Sequence, residues 1–197
     1  MASVGFTDAK IAVLDENEAV IGTPLIVDKQ DGGAMEANIT GLGANRNVVY
    51  ASNVPFYVSA QGTGEPQLEF SVADLSDDIL EQVLGEVTNE QGISLVGQDT
   101  KPPFVAVILH SADKDGNDLY FGLLKGKFAY PDNDLKSNDN SGATLQTDKI
   151  TGSFVARGLD GYVQARGRSN RPVFTYATFE QFVFHQASAT TTTTSIG

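Results

Sequence analysis

The stretch "LLKGKFAYP", Leu123 to Pro131, alternates from one residue to the next. Leu124, Gly126, Phe128 and Tyr130 form a mostly apolar row, and Lys125, Lys127 and Ala129 form the other. A period of two belongs to a strand with one face on a core. Just upstream, "PPFVAVILHSADKDGND" supplies an apolar run and a polar turn with Gly116. Residues 102–131 therefore read as one long antiparallel hairpin. Gly126 leaves space for a bulky neighbour across the sheet. Lys125 and Lys127 read as partners of acids on a neighbouring strand, in the same or another subunit, and not as a ligand site.

The rest of the chain extends this β pattern. "AKIAVLDENEAVIGTPLIVD" reads as two strands about the turn "DENE", with Val13, Val20, Ile21, Leu25 and Val27 on the apolar side. "GAMEANITG" alternates weakly. "PQLEFSVADL" alternates cleanly, with Leu68, Phe70 and Val72 on one face. "DKITGSFVARG" puts Ile150, Gly152, Phe154 and Ala156 on one side and Thr151, Ser153, Val155 and Arg157 on the other, and "GYVQARG" is a further strand. Residues 41–66 are rich in Gly, Asn and Pro and read as a long loop, with aromatic islands at Tyr50, Phe56 and Tyr57 that suit docking. "SDDILEQVLG" predicts a helix. Ser76 is its N-cap through the hydroxyl, acids occupy its first turn, Ile79, Leu80, Val83 and Leu84 form its apolar stripe, and Gly85 ends it in the left-handed conformation. "TFEQFVFHQ" fits a short helix opened by a Thr178/Gln181 capping box, against a competing strand-like alternation of Phe182 and Phe184. The expectation is a mainly β fold: a β-sandwich or partly closed barrel with one flanking α-helix, a long hairpin and extended loops or arms. Residues 1–186 make a single domain and 187–197 a Thr-rich, low-complexity tail.

Composition removes several function classes. The chain has 197 residues and no cysteine, so disulfides, thiolate metal sites and thiol nucleophiles are excluded. Two histidines, His110 and His185, give little material for an imidazole metal site. No apolar run reaches the roughly 20 residues of a membrane helix, and "MASVGFTDAK" lacks the pattern of a secretory leader. The net charge of −12 opposes free binding to a nucleic-acid backbone. That charge is uneven: residues 1–149 hold 9 Lys/Arg against 23 Asp/Glu, and residues 150–197 hold 4 Arg against 2 Asp/Glu. The basic part concentrates in "ARGRSNR", at Arg166, Arg168 and Arg171. It suits a solvated loop, or a loop that meets an acidic face of another copy, better than a nucleic-acid patch.

Motifs of enzymatic chemistry fail on inspection. "DKDGND" begins like a calcium loop, but the twelfth position, which needs a bidentate Glu, is Leu124, and the flanks are strands. "GLGANR" has Arg46 where a dinucleotide fingerprint has its third glycine. His110, inside "AVILHS", reads as a satisfied strand histidine rather than a base. A glycosidase-like carboxylate pair stays open as an alternative, because such pairs are distant in sequence. So does a non-catalytic carbohydrate- or receptor-binding β-sandwich.

Three segments taken in order, "FSVADLSDDILEQVLG", "PPFVAVILHSADKDGNDLYFGLLKGKFAYPD" and "TLQTDKITGSFVARG", resemble the major tail proteins (tail tube proteins) of long-tailed phages. The likeness is densest over residues 68–158, and the order of elements before it and the "FEQFVF" ending also fit. The chain departs from the pattern at "SNVPFYVSAQGTG", which lacks an acidic "DDG"-like turn, and in its threonine tail. The resemblance implies a virion protein made in the bacterial cytoplasm. Six copies would form a ring, rings would stack into a hollow tube lined by paired hairpins, and the long loop and arms would reach adjacent rings. Partners would be further copies, a tape-measure protein, a tail terminator and distal tail proteins, with DNA passing through without specific binding. It implies no catalytic residue, cofactor or metal. The residues expected at inter-subunit contacts are Arg166, Arg168, Arg171, Tyr50, Phe56 and Tyr57.

Overall fold

In the computed structural model, the structure describes residues 3–29, 33–44, 46–51, 54–60, 62–132 and 147–185. The loop expected after Pro131 and the threonine tail lie almost wholly outside these residues. The strands are β1 (Ser3–Leu14), β2 (Val20–Val27), β3 (Ala34–Thr40), β4 (Arg46–Ala51), β5 (Val54–Ala60), β6 (Gln67–Val72), β7 (Val87–Thr88), β8 (Ser94–Leu95), β9 (Phe104–Asp113), β10 (Asp118–Ala129), β11 (Asp148–Phe154) and β12 (Gln164–Arg168). The helices are α1 (Asp77–Leu84) and α2 (Tyr176–Val183). The main antiparallel sheet runs β2-β1-β9-β10-β11-β6-β3, with β12 also paired to β10. It curls, bringing β3 back toward β1 without pairing to it. Phe6 and Phe70 meet edge to face at 6.1 Å near that seam. The β4–β5 and β7–β8 hairpins are separate two-stranded sheets.

The near-continuous apolar run of β9 has a clear cause: its two faces serve two cores. Val105, Val107 and Leu109 point into the curl, where Ile11, Val27, Leu68, Phe70, Phe128 and Ile150 are buried and α1 contributes Ile79, Val83 and Leu84. Ala106 and Ile108 point out, to a second core with Ala12, Leu14 and Leu124 that α2 covers with Phe179 and Val183. Among the described residues there are two helices, one on each core. Removing the apolar surface of both faces from water at roughly 25 cal/mol per Å² is the main stabilising term for these central strands.

Within "LLKGKFAYP" the strand and its buried Phe128 are as expected, but the single apolar row is not. Leu123 pairs with Val107 and Gly126 with Val105, so β10 carries one extra residue at Leu124–Lys125. This β-bulge inverts the side-chain parity. Leu124 therefore sits in the outer core, while Leu123 and Phe128 sit in the inner one. The bulge also marks a change of neighbour: before it β10 pairs β12, and after it β11. Gly126 does face a bulky partner. A Cβ there would lie 2.4 Å from the Phe154 ring, and one at Gly152 would lie 2.9 Å from Phe128. Two cross-strand Gly/Phe pairs thus seat two rings edge to face, 6.1 Å apart.

Several local expectations change. Half of residues 41–66 is regular: "VVYA" and "VPFYVSA" belong to the β4–β5 hairpin, their β-branched and aromatic residues outweighing the surrounding Gly and Asn. Ile21 is 55% exposed, because β2 is an edge strand and Ile11 and Ala9 of β1 fill the core instead. Ser76 takes the N-cap position of α1 with extended backbone, but its side chain makes no capping bond; its carbonyl accepts the Ile79 and Leu80 N–H groups. Gly85 closes that helix at φ 75°, as expected. Thr175, not Thr178, caps α2 by accepting the Thr178 N–H. β11 ends at Phe154, which leaves Ala156 exposed and turns Arg157 inward.

Candidate assembly surfaces

The lysine pair of the opening stretch is structural. The β1–β2 turn is built by Asp15, whose Oδ1 accepts the Asn17 and Ala19 N–H groups, and it presents Glu18 at φ 64°. Lys125 Nζ donates to Glu18 Oε1 at 2.6 Å, and Glu18 also accepts the N–H groups of Gly158 and Leu159. The Lys125 hydrogen bond, with help from those two N–H groups and against partial burial, holds the Glu18 carboxyl below its ordinary range. Lys125 and Lys127 both lie over the Phe104 ring, at 4.6 and 4.5 Å.

Arg157 is the residue that sequence reasoning misread. It looked like an outward strand position, yet it is 2% exposed. Its guanidinium pairs with Asp160, donates to the Phe182 carbonyl at 2.9 Å and stacks on the Phe182 ring. It places a cation on the C-terminal carbonyls of α2, where the helix dipole favours one. Arg157 in turn draws the Asp160 carboxyl below its usual range. The "RGLDG" spacing, a turn that returns an acid three residues later, was the available clue.

His110 is spoken for. Nδ1 lies 2.9 Å from Asp8, Nε2 lies 3.3 Å from Asp118, and the ring stacks on Tyr120 at 4.6 Å. With a carboxylate at each nitrogen it has neither a free base nor a free ligand position. The "DKDGND" segment is the β9–β10 turn: Asp113 accepts the Asp115 and Asn117 N–H groups, and Gly116 sits at φ 80°. Those bonds, Asn117's first, keep the Asp113 carboxyl below its ordinary value. Among the described residues, no group of three or more His, Asp or Glu side chains is set to hold a metal.

What the structure leaves open is surface. Arg166 and Arg168 lie on β12, opposite Phe121 and Leu119, and Arg171 lies in the following turn. The three line one shallow concavity with Gly167 and Asn170. None of their guanidiniums forms an ion pair among the described residues; Arg168 only exerts a Coulombic pull on Asp113. Beside them Val173 is 94% exposed. Tyr50, Phe56 and Tyr57 all lie on the β4–β5 hairpin, in a register pairing Val49 with Tyr57 and Tyr50 with Pro55. The hairpin belongs to a different surface feature from the arginines. Among the described residues β2, β3 and β12 are edge strands, and β2 and β3 bear exposed Ile21, Ile26 and Met35. Pro24 within β2 is a residue found on edges, since it cannot donate to a further strand.

A large curled antiparallel sheet with two separate hairpins defines a mainly β protein. The chain belongs to the phage tail tube protein family, whose model matches residues 1–192. No curated protein matches it by sequence. Among solved structures it is similar to the cryo-EM structure of the anti-feeding prophage cap (AFP tube terminating cap), at 10% identity and a TM-score of 0.43, over 81% of this chain and 87% of that one.

Proposed function

We propose that this chain is the major subunit of a siphovirus tail tube, six copies closing into a ring and rings stacking into a hollow conduit for DNA. The observation that carries the reading is the family match over residues 1–192. The fold is compatible in physical terms. Open edges at β2 and β3 invite pairing with further strands. Contacts that close give rings, and head-to-tail contacts that do not close give filaments. The net charge of −12 suits a conduit wall. DNA carries one negative charge per roughly 1.7 Å of axis, and a like-charged wall lets it slide instead of binding it. The reading assigns the chain no catalytic role. Its partners are further copies, a tape-measure protein that sets the length of the growing tube, and terminator and distal tail proteins at its ends. Assembly takes place in the host cytoplasm, and the product resides in the virion tail.

Sedimentation velocity of purified protein over a range of concentration and salt tests the reading. A monomer should give way to large species as concentration rises, more readily at moderate salt than at very low salt, because screening weakens repulsion between acidic subunits. A single monomer peak under all conditions overturns it.

A further inference from the structure

The β7–β8 hairpin is an arm that pairs with no other strand among the described residues. Val87, Ile93, Leu95 and Val96 are 63, 56, 51 and 51% exposed, a concentration of apolar side chains that solvated hairpins do not carry. The arm is nonetheless fixed. Thr88 donates to Glu81 on α1 and shares a hydrogen bond with Ser94, Asn89 accepts the Gln91 and Ile93 N–H groups at the tip, and Tyr130 donates to Glu86 at the base. A preformed element loses little conformational freedom on docking.

The charge around it selects its occupant. Residues 74–100 hold seven Asp/Glu and no Lys or Arg, and six of those acids are exposed. Residues 161–175 hold Arg166, Arg168 and Arg171 with no Asp or Glu, together with the exposed Val173. One surface is apolar and acidic, the other apolar and basic. α1, which carries the arm, packs into the inner core and α2, which follows the basic turn, covers the outer one, and no hydrogen bond or ion pair joins the two surfaces among the described residues. Resting on the reading of the chain as a self-assembling subunit, we infer that the β7–β8 arm of one copy docks on the Arg166–Val173 surface of the next, in a head-to-tail contact between copies.

A charge exchange in trans tests this. Glu90 at the arm's tip and Asp99 in the loop that follows it are exposed acids whose side chains make no hydrogen bond among the described residues, so Glu90→Lys/Asp99→Lys disturbs charge alone. Arg166→Glu/Arg171→Glu does the same for the basic surface. Each variant by itself should need roughly tenfold more protein to assemble, the effect expected of about 1.4 kcal/mol per contact. An equal mixture should recover much of the lost assembly, because wherever the two variants alternate the two introduced lysines of one copy face the two introduced glutamates of the next. Variants that each assemble like the wild type, or folded variants whose mixture shows no recovery, overturn the docking. The absence of cysteine allows a second measurement that does not depend on how the charge variants fold. Ile93→Cys/Val173→Cys, assembled and oxidised, should give a ladder of covalent oligomers that neither single variant gives; no ladder from assembled protein overturns the docking. A wild type that never assembles would overturn the tail tube reading itself, a result distinct from failure of this contact.

Discussion

Three residues carry more of the structure than their types suggest. Gly126 is one: its place is set by the Phe154 ring, not by a turn. Gly126→Ala should cost about 1–3 kcal/mol through overpacking, read as a lower denaturant midpoint with an unchanged slope; an unchanged midpoint would mean the ring has room to move. Glu18 is the second. Its folded carboxyl lies below its ordinary value, so as pH falls the unfolded chain takes up the proton first. The contribution of Glu18 is therefore complete at neutral pH and disappears as pH falls through the folded value, under the usual carboxylate range. Glu18→Gln should be less stable than wild type at pH 7, by about 1–2 kcal/mol for charged hydrogen bonds lost, and the two proteins should converge in acid. A gap that stays constant down to acid pH would contradict the role given to the Lys125 pair. Arg157 is the third. Arg157→Met leaves the buried α2 carbonyls without their cation and frees Asp160 to solvent, and thermal melting should show a loss of about 1–3 kcal/mol. A loss below about 1 kcal/mol would place the guanidinium among weak surface pairs.

At the scale of elements, the sequence was most legible where one periodicity met one core. The alternation of Leu68, Phe70 and Val72 in β6 and the stripe of Ile79, Leu80, Val83 and Leu84 in α1 each face a single environment, and all but the half-buried Leu80 are buried. Legibility failed where a local pattern depends on a distant event. The bulge at Leu124–Lys125 exists because β10 exchanges β12 for β11 there, and nothing within "LLKGKFAYP" encodes that exchange. Arg157 looked outward because the end of β11 is set by the turn that follows it. The assembly surfaces were legible by halves. Arg166, Arg168 and Arg171 stand out by charge, and the structure gathers them into one concavity. The β7–β8 arm, "VTNEQGISL", is short and unremarkable in composition, and its exposure became visible only once the rest of the core had been filled without it. Replacing residues 87–96 by a short Gly/Ser link should leave the melting transition nearly intact, since the side chains removed are exposed, but should abolish polymer in a pelleting assay. Undiminished polymer would remove the arm from the assembly account.

For the whole molecule, the central claim is that surfaces left open in one chain are closed by other copies of it. Among the described residues, β2 and β3 end the sheet, the two hairpins are separate from it, and the acidic arm and the basic turn form no ion pair with each other. Membership of the tail tube family says what such interactions build. Negative-stain electron microscopy of the purified protein at moderate salt is the most direct test. The account predicts rings with a central hole, or tubes of stacked rings, in wild-type protein, and shorter or absent tubes when Arg166, Arg168 and Arg171 are all changed to Glu. Uniform single particles of monomer size at high protein concentration, with no rings at any salt concentration, would contradict it.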